Sequence, residues 1–247
     1  MTAESENDIK YLKAAGRLCA ETLRRMMKLA RAGMSTAELD AVGRELLAAG
    51  GARSAPQVTY NFPGATCISI APVIAHGIPG SYKLKDGDLI HIDVSAELDG
   101  YYADTGSSLI VGGRAPAAEK LLEATKAALW QALRAARAGR PLNEIGRAVQ
   151  NEAHKRGYRT IVDLTGHGIG RKLHEEPSNI VNYYNASDKR ILEKGVVLAI
   201  EPFLTTGKGR VVEERDGWAL RTIDRTIAAQ FEHTIVVTEK EPIILTI

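Results

Sequence analysis

Apolar side chains recur at helical spacing along the first part of the chain. This pattern predicts an amphipathic helix over about residues 7–32, which ends at Gly33. Residues 35–38 read Ser-Thr-Ala-Glu, a capping box that predicts the start of a second helix, which ends at residues 50–51. The chain therefore begins with a pair of helices.

The same arrangement returns in the second part of the chain. An Ala- and Leu-rich pattern predicts a helix over residues 117–138, and Pro141 predicts the start of another that ends near Gly157. The two helical pairs align at an offset of 106, where Arg31, Ala32, Gly33 and Glu38 recur as Arg137, Ala138, Gly139 and Glu144. Chance explains these identities as well as a repeat does, but the recurrence of two helices followed by strands favours a repeat. We expect one domain over residues 1–247 with halves of about 1–112 and 113–247, and a site at their interface.

Alternating and short apolar runs predict strands between the helical pairs. The first two strands are expected at residues 67–70 and 73–76. Two longer strands, over residues 88–96 and 101–111, are expected to form a hairpin around Asp99-Gly100. The fold class predicted by these elements is α/β (α+β).

Composition and charge narrow the class of protein. Hydrophobic residues make up 45% of the 247 and charged residues 25%, as in globular proteins, and the formal net charge is +2, which disfavours nucleic acid as a specific partner. Residues 54–82 carry no charge, but proline and glycine interrupt them, so we expect no membrane span. The first eight residues contain three acids and no apolar run, and two cysteines form no disulfide framework; both favour a cytoplasmic protein without a secretory signal.

Two aspartates on the predicted hairpin are the first candidates for chemistry. An even-length loop places Asp104 on the same face as Asp93, and a four-residue loop over residues 97–100 places them directly opposite, with Cβ atoms about 5 Å apart. Two carboxylates at this separation repel each other unless one of them is protonated or a cation bridges them. The alternative is a solvated hairpin face with two ordinary aspartates.

Histidines in the second half are the next candidates. Three glycines surround His167 at residues 165–170, but their spacing is not that of a dinucleotide fingerprint, and no phosphate-binding lysine follows. His174 begins a His-Glu-Glu-Pro sequence that lacks the second histidine of a His-Glu-x-x-His zinc protease. Either imidazole alone could equally be structural.

Two glutamates interrupt apolar strands. Glu201 and Glu232 are each a single carboxylate in such a run, where an unpaired buried charge costs several kcal/mol unless a metal ion is present or the strand faces water. The combined set of four carboxylates and one imidazole suits two divalent ions, which generate hydroxide at neutral pH and polarise a carbonyl. Its members are Asp93, Asp104, His167, Glu201 and Glu232.

These residues lie within motifs that resemble one family over nearly the whole chain. The sequence is similar to type I methionine aminopeptidases, and the order of the motifs is more specific than any one of them. The motifs are Cys67-Ile68-Ser69-Ile70, His76-Gly77-Ile78-Pro79, Ile92-Asp93-Val94, Asp104-Thr105, Gly166-His167-Gly168-Ile169-Gly170, His174-Glu175-Glu176-Pro177, Ile200-Glu201-Pro202 and Glu232-His233-Thr234-Ile235-Val236-Val237.

The resemblance implies a fold, an activity and a metal centre. The implied fold is the pita-bread fold, with two pseudo-symmetric αβ halves around a central curved antiparallel sheet. The implied activity is removal of the initiator methionine from nascent chains that have a small second residue. The resemblance implies two divalent ions (cobalt, manganese, iron, zinc or magnesium) on the five residues above, with Asp104 and Glu232 bridging.

The resemblance also implies roles for residues around the metals. His76 and His174 would contact the substrate, and Glu201 would move a proton to the leaving amine. The methionine side chain would enter a pocket formed by Phe62, Cys67 and Trp218, although Cys67 could equally be a core residue. We expect a monomer, with room for a modest basic patch that docks at the ribosomal exit.

Some features of the sequence depart from the pattern of this family, and others distinguish this family from the alternative functions. Thr59 and Leu173 stand where many bacterial members have aromatic residues, so a less aromatic pocket rim is expected. The separation of 31 positions from Glu201 to Glu232 leaves no room for the long insertion of type II enzymes. The alternatives are a proline-directed aminopeptidase of the same fold, which normally carries a large extra N-terminal domain, and a metal-free binding protein, which would have lost ligands.

Overall fold

The computed structural model describes all residues, 1–247, and its first two helices begin where the sequence predicts. Helix α1 spans Glu6–Leu29 and helix α2 spans Thr36–Ala49. The backbone N–H of Glu38 donates to the Ser35 side chain and the Glu38 side chain accepts from the Ser35 backbone, which confirms the capping box. Helix α1 ends before the predicted Gly33, because Ala30 leaves the helical region with φ −59° and ψ 118°.

The remaining helices include one that the sequence did not reveal. Helix α3 is a short helix over Ala55–Tyr60, with Pro56 in its first turn. Helix α4 spans Pro116–Ala135 and α5 spans Asn143–Lys155, close to the predicted second pair. None of the five helices combines the length and the apolar content required to cross a membrane.

Fifteen strands form four antiparallel sheets. Their orders are β1-β4-β2 with β5 beside β4, β13-β10-β6, β11-β12-β3 and β15-β14-β9-β7-β8. The strands are β1 Arg53–Ser54, β2 Cys67–Ile70, β3 Val73–Ala75, β4 Leu89–Leu98, β5 Tyr101–Ile110, β6 Arg159–Thr160, β7 Thr165–Gly168, β8 Glu175–Val181, β9 Val197–Ile200, β10 Phe203–Thr205, β11 Val211–Glu213, β12 Leu220–Thr222, β13 Ala228–Gln230, β14 His233–Val236 and β15 Ile243–Ile244.

The β4–β5 hairpin is present, but its loop has two residues and not the four residues 97–100 that would place the aspartates directly opposite each other. Its turn consists of Asp99 and Gly100 alone, both with positive φ (52° and 79°), which suits the twist of a two-residue hairpin. The register therefore pairs Asp104 with Ser95, not with Asp93, and Asp93 lies opposite Gly106. The direct pairing of Asp93 and Asp104 is wrong; they are diagonal neighbours on one face of the hairpin.

Each helical pair covers one region of sheet, which gives two main apolar cores. A cluster of 15 buried residues joins α1 and α2 to β2, β4 and β5, and a cluster of 19 joins α4 and α5 to strands of the second half. The two regions meet where β5 approaches the segment around Glu232. There the Glu232 N–H donates to the Gly106 carbonyl at 2.9 Å, and the Thr234 hydroxyl donates to the Asp104 carbonyl at 2.7 Å.

Candidate active site

A cavity of 290 Å³ lies where the two sheet regions meet, and all five predicted metal ligands line it. Strands β4 and β5 contribute one aspartate each, and β7 contributes the histidine. Glu201 directly follows β9, and Glu232 directly precedes β14. The sequence-predicted set is thus assembled from both parts of the chain. Its members are Asp93, Asp104, His167, Glu201 and Glu232.

The ligand atoms lie close to one another. One donor atom from each of Asp104, His167 and Glu232 lies within 4.8 Å of the other two. His167 Nε2 lies 3.7 Å from an oxygen of Glu201 and 4.0 Å from an oxygen of Asp104. These separations bring three carboxylates within reach of one imidazole.

Burial and mutual repulsion disfavour the charged forms of the four acids. Burial, followed by the charges of neighbouring carboxylates, raises the pKa values of Asp93, Glu201 and Glu232 well above their ordinary values. Burial raises the pKa of Asp104 to about 6, although hydrogen bonds oppose the shift. Burial also lowers the pKa of His167 to about 3, so its ring is neutral at pH 7. No lysine or arginine lines the cavity to compensate the acids.

Two carboxylate oxygens in the cavity have no hydrogen-bond partner. They are Oδ1 of Asp104 and Oε1 of Glu232, both fully buried. Buried carboxylates without a partner are strongly unfavourable, and a divalent cation removes both the desolvation cost and the repulsion. Hard oxygen donors and one neutral imidazole are the donor set that divalent ions accept. The residues present therefore fit the metal ions implied by the sequence.

The raised pKa of Asp104 predicts how the metal-free protein responds to pH. Its folded pKa of about 6 exceeds the ordinary value of 3.8, so its charge destabilises the fold above pH 6, and this cost disappears as the pH falls from 6 towards 4. We expect Asp104→Asn to stabilise the metal-free protein by about 2 kcal/mol at pH 8 and by much less at pH 4. Urea unfolding in chelator measures both values. An equal effect at the two pH values would contradict this assignment.

An apolar pocket adjoins the carboxylates. Phe62 and Trp218 meet edge to face with ring centroids 5.1 Å apart, and Cys67 lies beside them in the lining. Leu173 completes the wall and is buried, but Thr59 is exposed and lies outside the lining. The three predicted pocket residues are therefore together, and only one of the two departures from the family faces the cavity.

Two further histidines border the carboxylates. The rings of His174 and His167 lie 4.1 Å apart, and His76 lines the same cavity. His76 has a φ of 54°, and Gly77 follows it where a Cβ would lie 2.4 Å from the Ile68 carbonyl, so only glycine fits there. Burial lowers the pKa values of both His76 and His174, which favours neutral rings at pH 7.

Two residues of the site were not among those predicted from the sequence. The Tyr60 hydroxyl lies 2.6 Å from His174 Nδ1, so an aromatic residue stands at the rim after all. Gln230 Nε2 donates to Glu232 at 3.1 Å and to Glu201 at 3.3 Å, and its Oε1 is buried without a partner. The signal for Gln230 was available, since it is a polar residue in an apolar run and precedes Glu232 by two residues, the spacing of side chains on one face of a strand. No signal distinguished Tyr60 from its exposed neighbours.

Comparisons with known proteins identify the family of the chain. The profile of Metallopeptidase family M24 matches residues 10–239. The chain is 46% identical over 247 residues to methionine aminopeptidase 2 of Bacillus subtilis (100% of this chain, 99% of that protein) and 38% identical to methionine aminopeptidase of Escherichia coli (100% and 94%).

Solved structures show the same similarity. The crystal structure of methionine aminopeptidase from Rickettsia prowazekii superposes with a TM-score of 0.95 at 36% identity, and all of each chain is covered. Prolidase from Pyrococcus furiosus has a TM-score of 0.81 at 22% identity, with 100% of this chain and 65% of that chain covered, which extends the likeness in fold alone.

Proposed function

The chain belongs to metallopeptidase family M24, and from this membership and the cavity we propose that it removes N-terminal methionine from proteins and peptides by metal-dependent hydrolysis. The observation that carries the proposal is the union in one cavity of four carboxylates, two buried and two half-buried, with a neutral imidazole and an apolar pocket. The predicted fold, a pita-bread arrangement with antiparallel sheets, agrees with the structures of its relatives.

We assign the chain to the type I group. Glu201 and Glu232 are separated by 31 residues, and this segment is occupied by the short strands β10 to β13. The long helical insertion expected of type II enzymes therefore has no counterpart between the two glutamates. The proposed domain halves, residues 1–112 and 113–247, divide the ligands into two from the first half and three from the second.

The proposed metal centre holds two divalent ions. Asp93, Asp104, His167, Glu201 and Glu232 would be the ligands, with Asp104 and Glu232 shared between the ions. When bound, such ions supply hydroxide at neutral pH and polarise the carbonyl of the first peptide bond. The residue types accept cobalt, manganese, iron, zinc and magnesium alike.

Glu201 is proposed as the group that moves the proton. Its carboxylate faces the cavity 3.7 Å from His167 Nε2, where it can take a proton from water and deliver it to the amine that leaves. Gln230 donates to one of its oxygens and fixes the orientation of the carboxyl group. A proton taken from water during attack would thus be passed on within the cavity.

His174 and His76 are proposed to hold the reacting peptide. If the Tyr60 hydroxyl donates to His174 Nδ1, the proton of the neutral ring is on Nε2, from which it can donate to the carbonyl oxygen as negative charge develops. His76 would orient the amide of the second residue. The resemblance supports a small residue at that position.

The pocket of Phe62, Cys67 and Trp218 is proposed to take the methionine side chain. We expect Trp218→Ala to raise KM for a Met-Ala-Ser peptide about tenfold, because the variant loses aromatic contact with the thioether. The steady-state KM and kcat of the metal-loaded variant measure this effect. Tyr184→Ala, which removes an exposed aromatic residue elsewhere, should leave both unchanged. An unchanged KM for Trp218→Ala would remove Trp218 from the pocket.

Peptide hydrolysis separates this function from the proline-directed alternative. The metal-loaded protein should cleave Met-Ala-Ser and leave Ala-Pro-Ser intact. Each of the five divalent metals should be tested separately. Cleavage of Ala-Pro-Ser alone would favour the proline-directed activity, and no cleavage of Met-Ala-Ser with any of the metals would refute the proposal.

The setting of the reaction belongs to the same proposal. The substrates would be the N-termini of nascent polypeptides, so we infer that the protein acts in the cytoplasm as a monomer and docks weakly at the ribosomal exit. Cosedimentation with ribosomes at increasing salt concentration tests the docking. The bound fraction should fall as the salt concentration rises, because docking through a basic patch weakens with ionic strength.

A further inference from the structure

A second cavity of 330 Å³ opens between α1 and α4. We call it the helix slot. Leu23 and Met27 of α1 form one wall, Leu129 of α4 forms the other, and Phe231 contributes to the floor. A volume of this size suits a small organic ligand, since ligand sites start at about 300 Å³.

The helix slot lies on the other face of the sheet from the catalytic cavity. Thr105 and Ser107 of β5 line the slot, whereas Asp104, which precedes Thr105, lines the catalytic cavity, because neighbouring side chains of a strand point to opposite faces. Glu232 is the one residue common to both linings, and its side chain accepts the Gln230 hydrogen bond. A ligand in the slot therefore does not occupy the place of a peptide substrate.

Two cationic side chains in the slot have no anionic partner. Arg24 and Lys126 are exposed, and neither forms an ion pair or a side-chain hydrogen bond. Lys126 Nζ lies 4.9 Å from the centroid of the Phe231 ring, so its charge is held over the aromatic floor. Glu232, the only acidic side chain of the lining, is buried. The exposed side-chain charge of the slot is therefore positive.

Apolar surface continues from the floor to the opening. Trp130 is 47% exposed and Ile247 is 63% exposed, and both belong to the lining. The Trp130 ring is tilted against His233 at 6.2 Å, and His233 Nδ1 is already engaged by Thr246 Oγ1 at 2.9 Å. A ligand with an apolar body would cover this surface and leave its polar end near the cations.

The backbone around the slot disfavours a peptide as the occupant. Peptides that add to a sheet need unpaired backbone groups at a strand edge. Here β5 pairs with β4, and its outer side meets the second half through the Ser107–Phe231 bridge and the Glu232 N–H. The recognition groups that remain are side chains, which suits a small molecule.

We propose that the helix slot is a second binding site, distinct from the catalytic cavity, that takes a small amphipathic carboxylate such as a medium-chain fatty acid. The carboxylate would accept hydrogen bonds from Arg24 and attract Lys126, since charge-assisted bonds to guanidinium are among the strongest available. The alkyl chain would lie against Leu23, Leu129 and Phe231. This assignment does not depend on the peptidase activity.

Tryptophan fluorescence tests the site directly, because the chain contains two tryptophans. In a Trp218→Phe protein loaded with metal, Trp130 is the sole reporter. Titration with decanoate, below its micellar concentration, should change Trp130 emission in a saturable way. Arg24→Ala combined with Lys126→Ala should raise the Kd at least tenfold, and decan-1-ol, which lacks the charge, should bind at least tenfold more weakly.

A matched variant controls for general loss of positive charge. Lys120→Ala combined with Arg134→Ala removes two exposed cations of the same region that lie outside the slot, and should leave the Kd within twofold. Decanoate bound in the catalytic cavity would persist in the Arg24/Lys126 variant and would not perturb Trp130. No saturable change at Trp130, equal binding by the Arg24/Lys126 variant, or equal binding of decan-1-ol would each overturn the proposal.

Discussion

Asp104→Ala should abolish metal binding and peptide hydrolysis together. Asp104 is buried, and its Oδ1 has no hydrogen-bond partner within the protein, so the carboxylate is available to a cation. Removing it leaves a smaller and less negative donor set. We expect kcat/KM for Met-Ala-Ser to fall more than about 100-fold, since even loss of groups that only support ligands costs 10- to 100-fold. Metal content by mass spectrometry and hydrolysis rate are measured on the same sample.

An exposed aspartate provides the control for this experiment. Asp86→Ala removes a carboxylate of the same type from the surface and should keep full metal content and activity. Retention of both properties by Asp104→Ala would remove Asp104 from the metal centre. Since Asp104→Asn is also expected to stabilise the metal-free protein, the site would be retained for function at a cost in stability.

Glu201→Gln should lower kcat with little change in KM. Glutamine keeps the shape of the side chain and one oxygen donor, but it cannot carry the proton that the leaving amine requires. Loss of a proton-transfer group costs about 10²- to 10⁴-fold in rate, so we expect kcat to fall within that range at saturating metal. Steady-state kinetics with metal content measured in parallel separates lost proton transfer from lost metal.

The exposed glutamate Glu193 supplies the matched substitution. Glu193→Gln should leave kcat and KM unchanged, because this side chain is exposed and is not part of the cavity lining. A kcat for Glu201→Gln within tenfold of the unmodified protein, at equal metal content, would assign the proton transfer to another group.

The sequence predicted the parts of the site that depend on residue type and strand alternation. Carboxylates in apolar runs, such as Glu201 and Glu232, are conspicuous because an isolated charge is unfavourable there. The face shared by Asp93 and Asp104 followed from the period of the strands. Their direct pairing did not hold, because loop length depends on whether Asp99 and Gly100 both adopt positive φ, and the sequence permitted more than one loop.

Contacts between distant segments were beyond prediction from the residues alone. Tyr60 meets His174 across 114 residues, and this contact depends on the short helix α3, whose six residues carry too little periodicity to be recognised. The hydrogen bond of Gln230 to Glu201 likewise joins residues 29 apart and depends on how β13 and β9, which belong to different sheets, are placed. Packing of the halves, not local propensity, decides such contacts.

The metal centre is also where the two halves of the chain depend on each other. Asp104 lies on β5, and Thr234 of β14 donates its hydroxyl to the Asp104 carbonyl while accepting from the Asp104 N–H. These bonds fix the separation of ligands that come from different halves. A site assembled in this way needs both halves folded before it can hold a cation.

Anomalous X-ray diffraction from crystals soaked in manganese tests the central claim most directly. We predict two strong anomalous peaks in the cavity, both within ligand distance of Asp104 and Glu232, with Asp93 on one side and His167 and Glu201 on the other. Peaks at both positions should vanish in Asp104→Ala crystals treated in the same way. A cavity without anomalous density, or density placed away from these five residues, would contradict the proposed metal centre.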